Sequence, residues 1–86
     1  MELKDTVNLM TSDDYKKRFE AEYYQLVIRY NKLKKLVSDW ENGKLNFRPS
    51  GTLDAYHRQL EAMQKYISIL EFRALIEDVD LEDIKY

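Results

Sequence analysis

The chain has 86 residues, with 14 basic and 16 acidic side chains and a formal net charge of −2. This length holds one domain, close to the lower limit at which a single core is sufficient, so partner chains are to be expected. The sequence has no cysteine, which excludes disulfides, thiolate metal sites and cysteine nucleophiles. The slightly acidic balance argues against general binding to a nucleic acid polymer, and we identify neither a signal peptide nor a membrane-spanning run.

The positions of glycine and proline in the sequence indicate an all-α protein with a single main turn. Both glycines and the one proline fall between Asn42 and Thr52. All-β and α/β folds need such residues throughout the chain, whereas long exposed helices suit a chain in which 35% of residues are charged. We therefore place the turn at residues 42–52 of one domain that spans residues 1–86.

The N-terminal half predicts a short helical segment followed by a long helix. In segment 1–11, Leu3, Val7 and Met10 share a helical face. Ser12 precedes two aspartates, a typical helix start, and predicts helix one over residues 13–41. Its apolar residues are spaced 4, 3, 4, 3, 4, 3, which is the seam of a coiled coil. The seam comprises Phe19, Tyr23, Leu26, Tyr30, Leu33, Val37 and Trp40.

The C-terminal half predicts a second helix with a matching seam. Either Thr52 or Ser50 can cap a helix over residues 53–77, which is followed by an acidic tail, 78–86. This seam comprises Leu53, Tyr56, Leu60, Met63, Ile67, Leu70 and Ala74. Two seams of equal length, joined by a short turn, predict an antiparallel, coiled-coil-like two-helix hairpin.

The seams leave many apolar residues unexplained, which predicts self-association. The N-terminal segment can cover some of them, and so can Leu81, Ile84 and Tyr86 of the tail. The remainder is too large for one hairpin to hide, and exposed apolar patches usually mark interfaces. We therefore predict a homo-oligomer whose interface contains Tyr24, Ile28, Ile69, Phe72 and Ile76.

The sequence offers no catalytic or metal-binding constellation. His57 is the single histidine and is interpreted as a solvated surface residue. Common nucleotide, metal and acyl-transfer motifs do not occur. The acidic tail lacks the spaced pattern of a calcium loop and is interpreted as a solvated end, with phosphate mimicry as the alternative. We predict a protein that is not an enzyme, with no catalytic residue, no metal and no cofactor.

Two segments resemble a family of short bacteriophage proteins known by relation to a crAss-like phage protein. They are YYQLVIRYNKL, from Tyr23 to Leu33, and the stretch from Gln59 to Ala74 with the pattern Q-L-x-x-M-x-x-Y-x-x-x-L-E-x-R-A. The ending LIEDVDL is also similar. More distantly, the second helix resembles the helical-hairpin sponge proteins that phages use against CBASS and Thoeris immune signalling. That resemblance implies a small oligomer that sequesters a signal molecule between subunits.

The residues that the seams do not explain are the candidates for ligand binding. Gln59, Tyr66 and Arg73 distinguish the second signature, and Arg29 and Lys32 belong to a basic side of helix one. An arginine grips phosphate through two hydrogen bonds, and a phenol stacks on a base, although surface ion pairing or an interface accounts for the same residues.

These resemblances imply a phage counter-defence protein that acts in the cytoplasm of the infected bacterial host. It binds and sequesters a nucleotide second messenger, either a cyclic oligonucleotide or an ADP-ribose derivative. Two alternatives remain open: a protein-binding inhibitor of a host defence protein, such as an anti-CRISPR, and a structural or regulatory phage protein without a ligand.

Overall fold

The computed structural model describes residues 1–82, which form helices and turns and contain no strand. This confirms the all-α class. The predicted tail residues Asp83, Ile84 and Tyr86 lie outside the described residues. The elements are a 3₁₀ turn at Leu3–Thr6 that runs into α1 at Val7–Met10, then the long helices α2 at Tyr15–Glu41 and α3 at Leu53–Glu77.

Helix α2 begins slightly later than the sequence indicated. Asp14, not Ser12, is the N-cap, and its side chain accepts a hydrogen bond from the Lys16 backbone N–H at 2.9 Å. The Ser12 hydroxyl instead accepts from the Asp14 N–H at 3.1 Å. The two side chains thus accept from different N–H groups, and the Asp14 carboxylate, which lies next to the helix, also interacts favourably with the positive end of the helix dipole.

The turn between the long helices depends on its glycines. Gly43 and Gly51 have φ of 68° and 88°, in the left-handed region where a side chain is strained. Thr52 then caps α3 by accepting from the Ala55 N–H at 3.1 Å, which decides between the two candidate caps.

The long helices pack antiparallel along the predicted seams. Contacts between them move down α3 as they move up α2, from Tyr15–Glu77 through Tyr30–Gln64 to Trp40–Tyr56. Every seam residue is buried or half-buried, and Phe19 and Leu70 are almost completely so. This confirms the pairing of the two helices, which makes the molecule a rod with extents of 43 × 24 × 20 Å.

The N-terminal segment and the end of the chain cover the second side of α2. The 3₁₀ turn and α1 pack on α2, where the buried Thr6 hydroxyl accepts from Gln25 at 2.9 Å. The Tyr24 hydroxyl accepts a hydrogen bond from the Glu82 N–H at 3.2 Å. Tyr24 and Ile28 are only 2% and 0% exposed, so the inference that these two face a partner chain is wrong.

Asp78 ends α3 in the left-handed conformation and turns the chain back toward the core. Val79 is buried and Leu81 packs against the same core. The Lys16 ammonium donates to the Asp78 carbonyl at 2.9 Å and ties this turn to the start of α2. No helix within residues 1–82 combines the length and the apolar character that crossing a membrane requires.

Candidate ligand-binding groove

Three of the predicted ligand residues line one groove between the long helices. Arg29 and Lys32 stand one turn apart on α2, and Gln59 faces them from α3. We call this the basic groove; it is open to solvent, has a volume of about 380 Å³, and its apolar part consists of Leu3, Leu33, Leu36 and Met63. Volumes of roughly 300–1,000 Å³ are typical of small-molecule sites. The groove thus combines cations, an amide and an apolar floor.

The electrostatics of the basic groove differ from those of two other grooves on the hairpin. No carboxylate lines it within residues 1–82. The groove around Tyr30 and His57 contains Glu61, and the groove beside Tyr23 contains acidic side chains of the chain end. Within the same part of the chain Arg29 forms no ion pair. Of the three grooves, the basic groove is therefore the one whose charge favours an anion.

Arg73 lies elsewhere, in a cluster at the open end of the hairpin that links the end of α3 to the start of α2. Its Nε donates to Glu77 at 2.9 Å, and its Nη2 donates to the Tyr15 hydroxyl at 3.0 Å. The guanidinium also lies 5.1 Å from the centre of the Phe19 ring. Two of its donors are thus engaged within the chain, and one of these bonds is part of an ion pair with Glu77, the kind of surface pairing that the sequence left open for this residue. Arg73 and Gln59 are 14 residues apart on α3, about 21 Å along the axis.

Tyr66 is also held within the chain, because its hydroxyl donates to the Glu22 carboxylate. That hydrogen bond raises the pKa of Tyr66, with a further contribution from burial. The Tyr15 hydroxyl donates to Glu77 at 2.5 Å, which raises the pKa of Tyr15 and lowers the pKa of Glu77. The five predicted ligand residues therefore form two groups, one in the basic groove and one that links α2 and α3 nearer the chain ends.

A group of exposed apolar side chains lies on α3 outside its seam. We call it the outer face of α3. Leu75, which the predicted interface omitted, is its most exposed member at 83%. Three predicted interface residues accompany it: Ile69, Phe72 and Ile76, which are 56%, 63% and 68% exposed.

His57 lies at the surface near the turn, with Nε2 3.5 Å from a Glu41 oxygen and about half of its side chain exposed. Within residues 1–82, no three acidic or histidine side chains come close enough to hold a metal ion. The floor residues of the basic groove were not predicted as site residues, because Leu33 and Met63 had been assigned wholly to the seams. Both residues are only partly buried in the structure, and spacing along a helix does not encode this.

The fold and the groove together define the class: a small helical-hairpin protein with a cationic surface suited to binding an anion. A family model described as Sequestin matches residues 13–76, which is most of the chain. The chain belongs to the Sequestin family, whose name is consistent with a sequestering role and suggests binding rather than catalysis. No curated protein and no solved structure gives a significant match to the chain.

Proposed function

We propose that this protein binds and sequesters a nucleotide-derived immune signalling molecule, a cyclic oligonucleotide or an ADP-ribose derivative, without transforming it. The observation that carries the proposal is the basic groove, where Arg29, Lys32 and Gln59 surround an apolar floor. The family name supports the sequestering part. The messenger class, the bacteriophage origin and the location in the cytoplasm of an infected host are parts of the proposal supported by the resemblance to phage sponge proteins.

The groove has the groups that a nucleotide requires. A guanidinium binds phosphate oxygens through two parallel hydrogen bonds, and the nearby ammonium adds a second positive charge. The aliphatic side chains of Leu33, Leu36 and Met63 offer an apolar surface to a base, and the thioether of Met63 is polarizable. The Gln59 amide both donates and accepts, which suits a base edge or a ribose hydroxyl. Sequestration needs nothing further, since release and catalysis are not required.

The test is a thermal-shift and calorimetric screen of the purified protein against cyclic dinucleotides, cyclic trinucleotides and ADP-ribose derivatives. One of these ligands should raise the melting temperature, because binding to the folded state alone stabilises it. Arg29→Ala should weaken binding by about ten- to a hundredfold, since hydrogen bonds to charged groups contribute about 1.5–3 kcal/mol.

Arg48→Ala is the matched control: it removes the same charge from an exposed residue of the turn, outside the groove. It should bind the ligand as the wild type does. Equal weakening in the two variants would indicate general charge attraction without a site. A screen in which no ligand shifts the melt would overturn the proposal.

The outer face of α3 favours a second candidate, a protein-binding inhibitor that covers a surface of a host defence protein. Helices commonly bind partners through an exposed apolar stripe. Here the critical side chain is Phe72, at 63% exposure. The two candidates separate on mutation, because Phe72→Asp would abolish binding to a partner protein and leave nucleotide affinity in the basic groove unchanged.

A further inference from the structure

We propose that the outer face of α3 packs against the same face of a second copy, as a two-fold symmetric contact centred on Phe72. The contact uses residues of α3 that lie outside the basic groove, so it does not depend on what the groove binds. Substitutions on this face therefore test the contact separately from ligand binding.

The outer face is uncovered for a geometric reason. Positions 69, 72 and 76 repeat with spacings of 3 and 4, so they form a stripe along α3. The seam residues Ile67, Leu70 and Ala74 occupy the opposite side and are buried against α2. One helix cannot turn both stripes toward α2. The N-terminal segment and the returning chain end cover α2, and they leave this stripe exposed.

The pattern of the outer face is self-complementary. Ile69 lies three positions before Phe72, and Leu75 and Ile76 lie three and four positions after it. A half-turn about an axis through Phe72 therefore places Ile69 of one copy against Leu75 and Ile76 of the other. Homodimer interfaces require the same patch to match itself under such a rotation. A foreign partner would not require this arrangement about a central aromatic.

The charges at the two ends of the stripe are complementary under the same rotation. Lys65 precedes the stripe and forms no ion pair within residues 1–82, whereas Asp78 and the C-terminal carbonyls of α3 follow it. The half-turn brings Lys65 of one copy toward the C-terminal end of α3 in the other. There the helix dipole and the Asp78 carboxylate both attract a cation. No charge lies on the stripe itself between Ile69 and Ile76.

The stripe supplies much of the area that a two-fold contact uses. It runs from Ile69 to Ile76, about 10 Å along the axis of α3. The exposed parts of the four side chains amount to roughly 500 Å² per copy, given the usual size of such residues. A standard interface uses about 800 Å² per partner, and Lys65, Tyr66 and Ser68 border the stripe and supply more.

Light scattering of the purified protein without ligand measures the contact directly. The wild type should have at least twice the 10.4 kDa mass of the chain at micromolar concentration. Phe72→Asp should halve the measured mass, because a carboxylate on the two-fold axis would face its own copy in an apolar contact. Phe47→Asp is the matched control: Phe47 is 57% exposed, lies in the turn, and should keep the wild-type mass.

Disulfide trapping tests the position of the axis, since the chain contains no cysteine of its own. Phe72→Cys should form a covalent dimer under mild oxidation, because facing Cα atoms on helices packed about 8–10 Å apart are about 3–5 Å apart, which overlaps the range that a disulfide spans. Arg58→Cys, four turns earlier on α3, should not. A monomeric wild type, an unchanged mass for Phe72→Asp, or equal trapping at both positions would overturn the proposal and favour a different occupant of this face.

Discussion

At the scale of single residues, tyrosine hydroxyls form much of the polar bonding between the long helices. Tyr15 donates to Glu77, Tyr23 to Glu71 at 2.8 Å, and Tyr30 to Gln64 at 2.6 Å. The rings of Tyr23 and Tyr30 lie in the seam while their hydroxyls reach its edge, which suits a residue that is apolar along its body and polar at its tip. The abundance of tyrosine, seven in the chain, thus has a structural explanation for these positions.

Glu77 provides a pH-dependent contribution to stability. Hydrogen bonds from Tyr15 and Arg73 lower its pKa from the usual 4.5. A lowered pKa in the folded state stabilises the protein above the unfolded pKa, and this stabilisation is lost as the pH falls through the folded value. Glu77→Gln should therefore melt at a lower temperature than the wild type at neutral pH, with a difference that shrinks as the pH falls below 4.5.

Thermal melts across this range, followed by circular dichroism, measure the effect. Glu61→Gln is the control for the change of charge, since Glu61 is exposed on the same helix and forms no ion pair within residues 1–82. A Glu77→Gln difference that is constant from neutral to acid pH would contradict the assigned role of the carboxylate.

At the scale of elements, α3 has two apolar stripes that differ in solvent exposure. The seam stripe is buried against α2, and Leu70 on it is 0% exposed. The outer face is largely exposed, with Leu75 at 83%. Leucine on the same helix therefore lies in two environments, one buried in the hairpin core and one exposed to solvent. Substitutions at the two positions distinguish residues that stabilise the hairpin from residues that do not.

Leu70→Ala and Leu75→Ala compare these two environments directly. Leu70→Ala should lower the free energy of unfolding by about 2–5 kcal/mol, because it removes buried methyl groups and leaves a cavity in a packed core. Leu75→Ala should change it by less than about 0.5 kcal/mol when measured on the Phe72→Asp background, where the outer face is not occupied by a copy. Urea unfolding gives both values. Similar losses in the two variants would mean that α3 is packed differently.

At the scale of the whole molecule, the N-terminal segment is an integral part of the core. It packs on α2, where Ala21 and Ile28 are 1% and 0% exposed. Thr6, itself buried, accepts from Gln25 and donates to the Leu3 carbonyl at 2.7 Å. The segment also brings Leu3 to the basic groove, so it connects the core to the candidate site.

Removing residues 1–11 should therefore destabilise the protein and uncover apolar surface on α2. We expect a helical spectrum, a lower melting temperature and increased binding of a hydrophobic dye, because Ile28 loses its cover. The single substitution Thr6→Val provides a milder comparison, since it leaves the Gln25 amide without one partner at a cost of about 1–3 kcal/mol. A truncated protein that melts like the wild type would show that the segment is dispensable.

The residues of the basic groove were predicted only in part from the sequence. The sequence identified Arg29, Lys32 and Gln59 because none of them fits a seam. It grouped them with Tyr66 and Arg73, which the fold places with Glu22, Tyr15 and Glu77. Periodicity states which face a residue occupies on its own helix, but the partners across the hairpin depend on the relative rotation and register of two helices.

The sequence alone determined the all-α class, the seams and the position of the turn, because these follow from local spacing and from where glycine and proline occur. Whether each of the remaining apolar residues is buried or exposed is decided only by the tertiary structure. Tyr24 and Ile28 are buried by segments distant in the chain, whereas Ile69, Phe72 and Ile76 are not. Both groups are large apolar residues at helical spacing outside the seams, so the pattern along the chain does not distinguish them, whereas the path of the chain ends does.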